Sequence, residues 1–344
     1  MKARGAMANP PNRFHASWSE LDPAQLPDTV ATEVFAEQAN RIISTNRSPD
    51  VPFDQSVNPY RGCEHGCIYC YARPSHAFLD LSPGLDFESR LFAKTNAAER
   101  LRAELSRPGY RCRLLALGAN TDPYQPLEKG LELTRGILEV CLEFRQPVAI
   151  VTKGSLVCRD LDLLEELARR RLTQVTVSLT TLSRDLKRRM EPRAASPEAR
   201  LRTIETLSNA GVPVSTLIAP VIPRINDHEI EALVKAAADA GVQSAGYVLL
   251  RLPHEVKTLF RDWLTEHFPD RAEAVINLVR NTRGGKDYDS GFGQRMRGSG
   301  QYAAMIRARF EAALRRFGLG HRDPQLDTSQ FRVPREISPQ LDLF

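Results

Sequence analysis

The 344-residue sequence predicts an α/β fold: a partial (β/α)6 barrel with an N-terminal arm and a basic C-terminal extension. Two patterns predict it. Short apolar or β-branched runs recur six times, and segments of helical periodicity separate them. Continuous apolar strands between helices are typical of a parallel sheet buried on both faces. A doubly wound sheet is the alternative arrangement, and in both arrangements ligands collect at the carboxyl ends of the strands.

The elements follow in chain order. The arm is expected at 1–55, because seven prolines precede residue 60 and helical periodicity is clear only near 29–43. The core is expected at 56–268, the extension at 269–322 and an extended tail at 323–344. Strands are predicted near 56–59, 114–118, 148–152, 175–179, 214–219 and 245–250, with a small extra strand at 91–93. Helices are predicted near 96–106, 130–144, 160–170, 197–210, 227–239, 254–267, 271–281 and 301–317.

Composition excludes several classes of protein. The chain is 42% hydrophobic and carries a net charge of +5, as an ordinary globular protein does. No apolar run approaches the roughly 18 residues that a membrane helix needs. The N-terminus lacks the apolar stretch of a secretory signal, so we expect a cytoplasmic protein without a membrane contact. Six cysteines are too few for a disulfide framework in a chain of this length.

Polar side chains follow successive predicted strands at the point where each strand ends. They are Asn120, Thr121, Asp122 and Tyr124 after the second strand, Lys153 after the third, Ser178 in the fourth, and Arg251 after the sixth. Helix capping and loop chemistry explain most of them singly. Their recurrence at successive strand ends favours one shared site.

Three cysteines lie in one short loop after the first strand, Cys63, Cys67 and Cys70, with the spacing C-x3-C-x2-C. A closed zinc site needs a fourth ligand, for which His65 and His76 are candidates. A ferredoxin-type cluster needs four cysteines, and no fourth is near. Three thiolates fit a [4Fe–4S] cluster that leaves one iron open to bind an amine and a carboxylate.

The motif resembles the signature of the radical S-adenosylmethionine (SAM) superfamily, including the aromatic Tyr69 before the last cysteine. The longer string NPYRGCEHGCIYCYAR is similar to the branch that contains spore photoproduct lyase. The segments TDPYQPLE, VTKGSLVCRDLDLL and EPRAASPEARL resemble the same branch. The resemblance covers about residues 40–265, and extends less securely to FGQRMRGSGQYA.

The resemblance implies a mechanism and a set of site residues. A [4Fe–4S] cluster on the three cysteines would pass an electron to SAM, and the resulting 5′-deoxyadenosyl radical would remove a hydrogen from the substrate. An electron donor such as flavodoxin or ferredoxin is then expected. The implied SAM contacts are Tyr69 for the adenine, Asn120, Thr121 and Asp122 for the methionine amine, Lys153 and Ser178 for the carboxylate or ribose, and Ile218 and Pro220 beside the adenine. Glu128, Glu191 and Arg193 are weaker candidates, since solvated charge explains them equally well. Tyr124, Arg251 and Arg295 are predicted as substrate contacts.

The sequence also departs from this branch. Spore photoproduct lyase has a cysteine hydrogen donor near the end of its second strand, but the corresponding stretch GANTDPY has none. We interpret Cys112, Cys141 and Cys158 as core or structural thiols. The fold and the cofactor therefore carry over from the resemblance, whereas the substrate does not.

The C-terminus ends Gln340, Leu341, Asp342, Leu343, Phe344, which resembles the linear motif by which bacterial repair and replication proteins bind the DNA sliding clamp. Packing of this segment on its own domain is the alternative. A clamp contact would place the enzyme at DNA. The segment 277–322 has ten Lys and Arg against three Asp and Glu. Arg280, Arg283, Lys286, Arg295 and Arg297 are candidate phosphate contacts, and Tyr288 and Phe292 are candidate stacking residues.

Three hypotheses follow from the sequence. The first is a radical SAM enzyme that acts on nucleic acid, in damage repair. The second keeps the chemistry but changes the substrate to a small molecule or a protein side chain, with the Gly/Arg loop, RGGKDYDSGFGQRMRGSGQY at 283–302, as a lid. The third is a non-catalytic, metal-stabilised module that binds the clamp.

Overall fold

Six parallel strands form the framework of the protein. The computed structural model describes residues 3–14, 30–320 and 325–334. Within these ranges the strands are β1 (Glu33–Glu37), β2 (Ile43–Thr45), β3 (Gln55–Val57), β4 (Tyr60–Arg61), β5 (Arg90–Lys94), β6 (Leu115–Leu117), β7 (Val148–Thr152), β8 (Thr173–Ser178), β9 (Val214–Val221) and β10 (Ser244–Leu249). The larger sheet has the order β10-β9-β8-β7-β6-β3-β2, in which only β2 runs antiparallel to its neighbour. The predicted partial barrel of six parallel strands is confirmed, and the sheet stays open between β2 and β10.

Helices lie between the strands, as the periodicity predicts. The α-helices are α1 (Asp86–Ser89), α2 (Ala97–Leu105), α3 (Glu128–Leu131), α4 (Leu133–Phe144), α5 (Leu161–Arg169), α6 (Arg184–Met190), α7 (Pro197–Asn209), α8 (Ile230–Asp239), α9 (Val256–His267), α10 (Ala272–Asn281) and α11 (Gly300–Arg316). Their apolar faces bury Leu138, Leu164 and Leu233 against strand residues such as Ile150 and Val175. This burial of apolar area between helices and sheet is the main stabilising contribution to the barrel.

The prediction of a helix near 29–43 is wrong. The described part of that stretch forms β1 and the first residue of β2. β1 pairs in parallel with β5 in a separate three-stranded sheet of order β1-β5-β4, where Phe35 stacks on Phe92 with ring centroids 5.2 Å apart. The partner strand lies more than fifty residues away in sequence, so a local helical pattern could not reveal the pairing.

Side chains of the strands alternate between the helix layer and the lumen of the barrel. Ile218 lies opposite Tyr247, whose ring packs 4.8 Å from Phe310 of α11, so both face the helices. Ser178 lies opposite Leu217, one residue out of phase, and therefore faces the lumen. Other lumen positions carry small residues, including Ala116, Ala149, Ser215 and Gly246. Small side chains therefore line part of the lumen of the barrel.

The C-terminal extension covers the edge strand β10. Leu249 N donates to Met296 O at 2.9 Å, and Ala245 N donates to Gly320 O at 3.3 Å. Arg295 of the Gly/Arg loop forms an ion pair with Asp50, in the loop after β2. Because β2 and β10 are the two edges of the sheet, this ion pair connects the two sides of the opening.

The tail residues 325–334 lie at the other end of the barrel, where Arg332 N donates to Phe144 O at 3.0 Å.

The clamp-like motif, Gln340 to Phe344, lies outside the described residues. None of the helices in the described ranges combines the length and apolarity that crossing a membrane requires.

Candidate active site at the cysteine loop

The cysteine loop, residues 62–70, follows β4 directly. Cys63 N donates to Phe87 O at 2.9 Å, and Cys70 N donates to Cys67 O at 3.1 Å, so the backbone turns tightly between the cysteines. Gly66 has a φ of +66°, a conformation that L side chains rarely adopt, and a Cβ there would come within 2.7 Å of Glu88 Oε2. Cys63 and Cys67 are buried, whereas Cys70 is partly exposed.

The three thiols lie close enough to influence one another. Burial raises the pKa of Cys63 well above its usual value, and the Asp122 carboxylate and the sulfurs of Cys67 and Cys70 raise it further. Burial also raises the pKa of Cys67, to about 12. Cys63 and Cys67 are therefore neutral without a metal, and binding of a metal centre would release their protons.

The residues fit a cluster better than a single metal ion. Among the described residues, no three His, Cys, Asp or Glu side chains converge on one point. A single zinc ion needs such convergence. In a [4Fe–4S] cluster each thiolate binds its own iron, so the three sulfurs lie around the cluster instead of meeting.

Each histidine that the sequence offered as a fourth ligand has one ring nitrogen held by a protein partner, and Nδ1 of His76 is buried with no hydrogen-bonding partner among the described residues. His65 is buried, and its Nδ1 lies 3.2 Å from Asp122 Oδ2. His76 is also buried; its Nε2 lies 2.9 Å from Arg90 O, and its ring packs edge-on against Phe87.

Asp122 fastens the end of β6 to the cysteine loop and to β7. Its carboxylate accepts hydrogen bonds from Thr152 Oγ1 at 2.6 Å, Lys153 N at 2.7 Å and Tyr124 N at 2.9 Å, besides the contact with His65. Burial opposes its ionisation, but His65 and these hydrogen bonds outweigh burial and hold its pKa below the ordinary value. The carboxylate already has four partners, so the structure assigns it a bracing role, and the predicted contact with a methionine amine stays a prediction.

Asn120 and Thr121 differ in their surroundings. The Thr121 hydroxyl donates to Tyr60 O at 3.0 Å and is buried, which makes it part of the loop framework. Asn120 is exposed, and its backbone N–H donates to Asn58 Oδ1 at 3.0 Å. Its side chain has no hydrogen-bonding partner among the described residues and remains a candidate ligand contact. Sequence reasoning missed Asn58, whose side-chain oxygen holds this turn in place.

Lys153 and Ser178 have the properties expected of ligand-binding side chains. The Lys153 ammonium lies 6.0 Å from the ring centroid of Tyr69 and has no hydrogen-bonding partner in the described ranges. Burial lowers its pKa, but the Cys67 sulfur and the Glu191 carboxylate outweigh burial and raise it, so the side chain is cationic. Ser178 faces the lumen with no described partner for its hydroxyl. A cation and a hydroxyl at adjacent strand ends are suited to an anionic ligand.

A buried ion pair lies behind Tyr69. The Tyr69 hydroxyl donates to Glu191, which also accepts from Thr180 Oγ1 at 2.7 Å and pairs with Arg200. Arg200 in turn donates to Ser178 O at 3.0 Å and Ala195 O at 3.0 Å. Glu191 was a weak sequence candidate and Arg200 was missed, because an Arg on an amphipathic helix has no sequence signal that distinguishes burial from exposure. The network fixes Tyr69 and the end of β8 relative to each other.

The two residues predicted to lie beside the adenine, Ile218 and Pro220, are both in β9. Ile218 is fully buried on the helix side of β9, so its predicted position beside the adenine is corrected; Leu217 and Ala219 face the lumen instead. The prediction was off by one residue along β9, and because successive side chains of a strand point to opposite faces of the sheet, it placed Ile218 on the wrong face. Pro220 follows a cis peptide bond at the end of the strand, and its carbonyl accepts from Asn226 Nδ2 at 2.9 Å. Its contact with a cofactor remains a prediction.

Tyr124 and Glu128 belong to the core of the protein. Tyr124 is 2% exposed, and its hydroxyl donates to Asp160 at 3.0 Å, so we replace the predicted substrate contact with a packing role. Glu128 is fully buried and accepts from Tyr60, from Thr134 N and from Arg159 at 2.7 Å. The third weak candidate, Arg193, pairs with Glu64 at 2.9 Å in the cysteine loop.

Aromatic and basic side chains surround the mouth of the barrel. Tyr71, next to Cys70, is 46% exposed, and the Arg251 guanidinium lies 4.9 Å from its ring centroid. Arg251 also donates to the Tyr288 hydroxyl at 3.3 Å. Phe292 is 60% exposed and has the Arg295 guanidinium 4.8 Å from its ring centroid. We call Tyr71, Arg251, Tyr288, Phe292 and Arg295 the mouth surface.

Most of the arginines predicted to contact phosphates already have protein partners. Arg283 is 2% exposed and donates to Leu250 O at 2.9 Å, so its predicted phosphate contact is corrected. Arg280 pairs with Asp287 at 2.7 Å, and Arg295 pairs with Asp50 and Ser48. Lys286 is exposed, and Arg297 lies over the Tyr247 ring at 4.2 Å.

A cleft of about 840 Å³ lies at the other end of the barrel, before β3 and β6. Arg47, Arg111 and Arg113 line it, but no cysteine does. The cysteine loop lies instead at the carboxyl ends of the strands, where parallel sheets bind ligands. Together with the lumen-facing Ser178 and the unpartnered Lys153, this position makes the loop the candidate active site.

Comparison with known sequences identifies the family of the chain. The sequence profile of the radical SAM superfamily matches residues 57–237. The uncharacterized protein Rv2578c of Mycobacterium tuberculosis is 38% identical over 232 residues, covering 67% of this chain and 68% of the relative. The radical SAM Nalpha-GlyT isomerase of Pseudomonas phage M6 is 24% identical over 235 residues, covering 67% of this chain and 46% of the isomerase.

Comparison with solved structures gives the same fold. A spore photoproduct lyase variant with bound AdoMet and dinucleoside spore photoproduct superposes with a TM-score of 0.58 at 14% identity, covering 83% of this chain and 79% of that chain. At this identity the match shows the fold alone, whereas the radical SAM profile over residues 57–237 supports an enzyme over the non-catalytic binding module. The profile match, the relatives and the fold lead to one conclusion: the chain belongs to the radical SAM superfamily.

Proposed function

We propose that this radical SAM enzyme carries a [4Fe–4S] cluster on Cys63, Cys67 and Cys70 and acts on nucleic acid. Superfamily membership implies SAM and such a cluster. When bound, the cluster would supply one electron for cleavage of SAM into methionine and a 5′-deoxyadenosyl radical, and the radical would remove a hydrogen atom from the substrate. The three thiols fit this group, because they lie in one short loop that turns back on itself between Cys67 and Cys70.

The chain's own residues have three tasks in this proposal. Lys153 and Ser178 bind the anionic and hydroxyl groups of SAM from the ends of β7 and β8. Glu191 and Arg200 hold Tyr69 beside them. The Gly/Arg loop, docked on the end of β10, limits the access of water to the lumen. Preorganised side chains of this kind contribute to catalysis by positioning the reacting groups.

The mouth surface is the observation that carries the nucleic-acid proposal. It presents two exposed aromatic rings, Tyr71 and Phe292, each with an arginine guanidinium against it. Aromatic faces stack on unpaired bases, and the Arg251 guanidinium, whose hydrogen-bonding partners in the described residues are uncharged, adds charge that the phosphate backbone attracts. A base held on Tyr71 would lie next to Cys70, and thus at the chemistry.

The mouth surface also gives the first test. Tyr71→Ala and Phe292→Ala are each expected to weaken binding of a single-stranded oligonucleotide about tenfold, as loss of one base-stacking contact does. Phe78→Ala is the matched control, because Phe78 is 73% exposed outside the mouth surface. Fluorescence anisotropy over a range of salt concentrations measures the affinity and its salt dependence. Equal affinities for all three variants, or no binding by the wild type, would contradict the proposal.

A small molecule or a protein side chain is the second candidate substrate. The ion pair between Arg295 and Asp50 favours it, because that pair fastens the Gly/Arg loop across the open side of the barrel as a lid would be. Deoxyadenosine formation that is unaffected by DNA and RNA, but stimulated by a metabolite or a peptide, would decide for this candidate.

Lys153 provides a test of the SAM site itself. Lys153→Met preserves the length of the side chain but removes the cation, so the Kd for SAM is expected to rise about tenfold to a hundredfold. Isothermal titration under anaerobic conditions measures it, with cluster absorbance as the check on folding. Lys235→Met, on the exposed face of α8, is the control. An unchanged Kd in Lys153→Met would remove the residue from the site.

The C-terminal pentapeptide extends the proposal to partners. We propose that Gln340 to Phe344 bind the sliding clamp and that a flavodoxin or ferredoxin supplies the electron. A chain that ends at Pro339 is expected to lose clamp binding in surface plasmon resonance while SAM cleavage continues. Clamp binding that survives truncation, or no binding by the full chain, would contradict the clamp proposal.

A further inference from the structure

We infer that residues 3–14, the N-terminal strap, form the outer wall of the cysteine loop, with Gly5 setting its fit and Glu88 acting as the positioning residue. The strap keeps solvent from the cysteines and holds the loop in the shape that a cluster needs. This inference concerns the metal site and does not depend on which substrate the enzyme uses.

The strap meets the loop through its backbone. Gly5 N donates to Glu88 Oε2 at 2.9 Å, and Ala6 N donates to Glu88 Oε1 at 2.8 Å. A Cβ on Gly5 would overlap the carbonyl oxygen of Gly66, the residue before Cys67. Only glycine permits the two backbones to approach this closely, so the fit of the strap depends on Gly5.

Glu88 connects the strap to the cysteines. It is fully buried and pairs with Arg73, which is also fully buried. Arg73 Nε donates to Cys67 O at 2.9 Å, and Arg73 Nη1 donates to Gly84 O at 2.8 Å. One carboxylate therefore holds two strap amides and the guanidinium that supports the Cys67 carbonyl. Loss of the strap would leave part of this buried carboxylate without partners.

The remaining strap contacts continue along the same face. Ala6 is 1% exposed and packs in one cluster with Cys67, Ile68 and Leu85. Asn9 exchanges two hydrogen bonds with Asp86, at 2.9 Å and 3.0 Å. Asn12 Nδ2 donates to Ala77 O at 3.0 Å. The strap is thus docked by specific polar contacts along the segment that follows the cysteine loop.

The strap limits the exposure of the loop cysteines. With the strap in place, Cys63 and Cys67 are 7% and 8% exposed. The shell around a metal site controls the access of solvent to it. Displacing the strap is therefore expected to expose the loop cysteines while the barrel core stays folded.

Gly5→Ala and Glu88→Gln test the inference on the full chain. The metal-free protein is treated with iodoacetamide under anaerobic conditions, and modification of each cysteine is followed by mass spectrometry. Cys67 in both variants is expected to react about tenfold faster than in the wild type, through easier local opening. Cys141 is fully buried in the core and reports global unfolding, so its rate should not change. Gly130→Ala is the matched control, because a Cβ at Gly130 meets nothing within 4 Å.

A second readout uses the cluster-loaded protein. Its visible absorbance should decay faster in air for Gly5→Ala than for Gly130→Ala. The inference would be overturned if Cys67 reacts in both Gly5→Ala and Glu88→Gln at the same rate as in the wild type. Labelling of Cys141 that rises in parallel with Cys67 would also overturn it, since the strap would then only stabilise the fold as a whole.

Discussion

Replacing Cys67 with alanine is expected to abolish both the visible absorbance of the iron–sulfur cluster and the formation of 5′-deoxyadenosine from SAM. Two thiolates from the loop would leave a second iron without a protein ligand. The rate of SAM cleavage should fall by about a thousandfold or more, roughly 4 kcal/mol of lost transition-state stabilisation. Anaerobic reconstitution, followed by chromatographic measurement of deoxyadenosine, gives the result directly.

Cys158→Ala provides the control for this experiment. Cys158 is partly exposed and lies outside the loop, after β7. It should retain absorbance and turnover. Intact SAM cleavage by the Cys67 variant would remove the loop from the mechanism.

Replacing Glu191 with alanine is expected to cause the largest loss of stability. The substitution leaves Arg200 buried without its counter-charge, and removing one partner of a buried pair costs about 3–5 kcal/mol. Denaturant unfolding of the metal-free protein measures the change in the free energy of unfolding. Glu231→Ala is the control, because Glu231 pairs with Arg309 at the surface, where an ion pair contributes about 1 kcal/mol or less. A loss of less than about 1 kcal/mol in Glu191→Ala would contradict the burial of the pair between Glu191 and Arg200.

The contribution of Glu191 to the free energy of unfolding is expected to depend on pH. Burial alone would raise the pKa of Glu191, but Arg200, Lys153 and the Tyr69 hydroxyl hold it at about 2, below the usual 4.5. A group whose pKa is lowered by folding stabilises the protein above its unfolded pKa. The contribution of Glu191 should therefore be complete above pH 4.5 and disappear as the pH falls towards about 2. A Glu191→Gln variant should lack this part of the acid transition.

The barrel was predictable because its signals are local. Runs such as VAIVT and VTVSL, with amphipathic segments between them, gave β7, β8 and the helices that follow, within a few residues. The pairing of β1 with β5 was not predictable, because the two strands are distant in sequence and β1 is mostly exposed. An N-terminal arm over the main domain was predicted, but its docking on the cysteine loop was not, because the contacts are made by backbone amides and a glycine, which carry no residue-type signal.

The candidate site was predictable in its composition but not in its details. The cysteine spacing identified the loop, and the strand ends identified Lys153 and Ser178. The direction of Ile218 depends on strand phase, which a single apolar run does not fix. Tyr124 and Arg283 illustrate a second difficulty, because a tyrosine or an arginine in a loop can be exposed or serve as a buried hydrogen-bond donor. Only the partners, Asp160 and the Leu250 carbonyl, decide between these roles.

The most direct test of the whole account is transfer of a label from nucleic acid to the SAM fragment. The reconstituted, reduced protein is incubated with SAM and with single-stranded DNA or RNA that carries deuterium at carbon positions. We predict that nucleic acid stimulates the formation of 5′-deoxyadenosine and that the product contains deuterium. Deoxyadenosine that forms equally without nucleic acid and contains no deuterium would contradict the proposed substrate. Absence of deoxyadenosine under every condition would contradict the proposed chemistry.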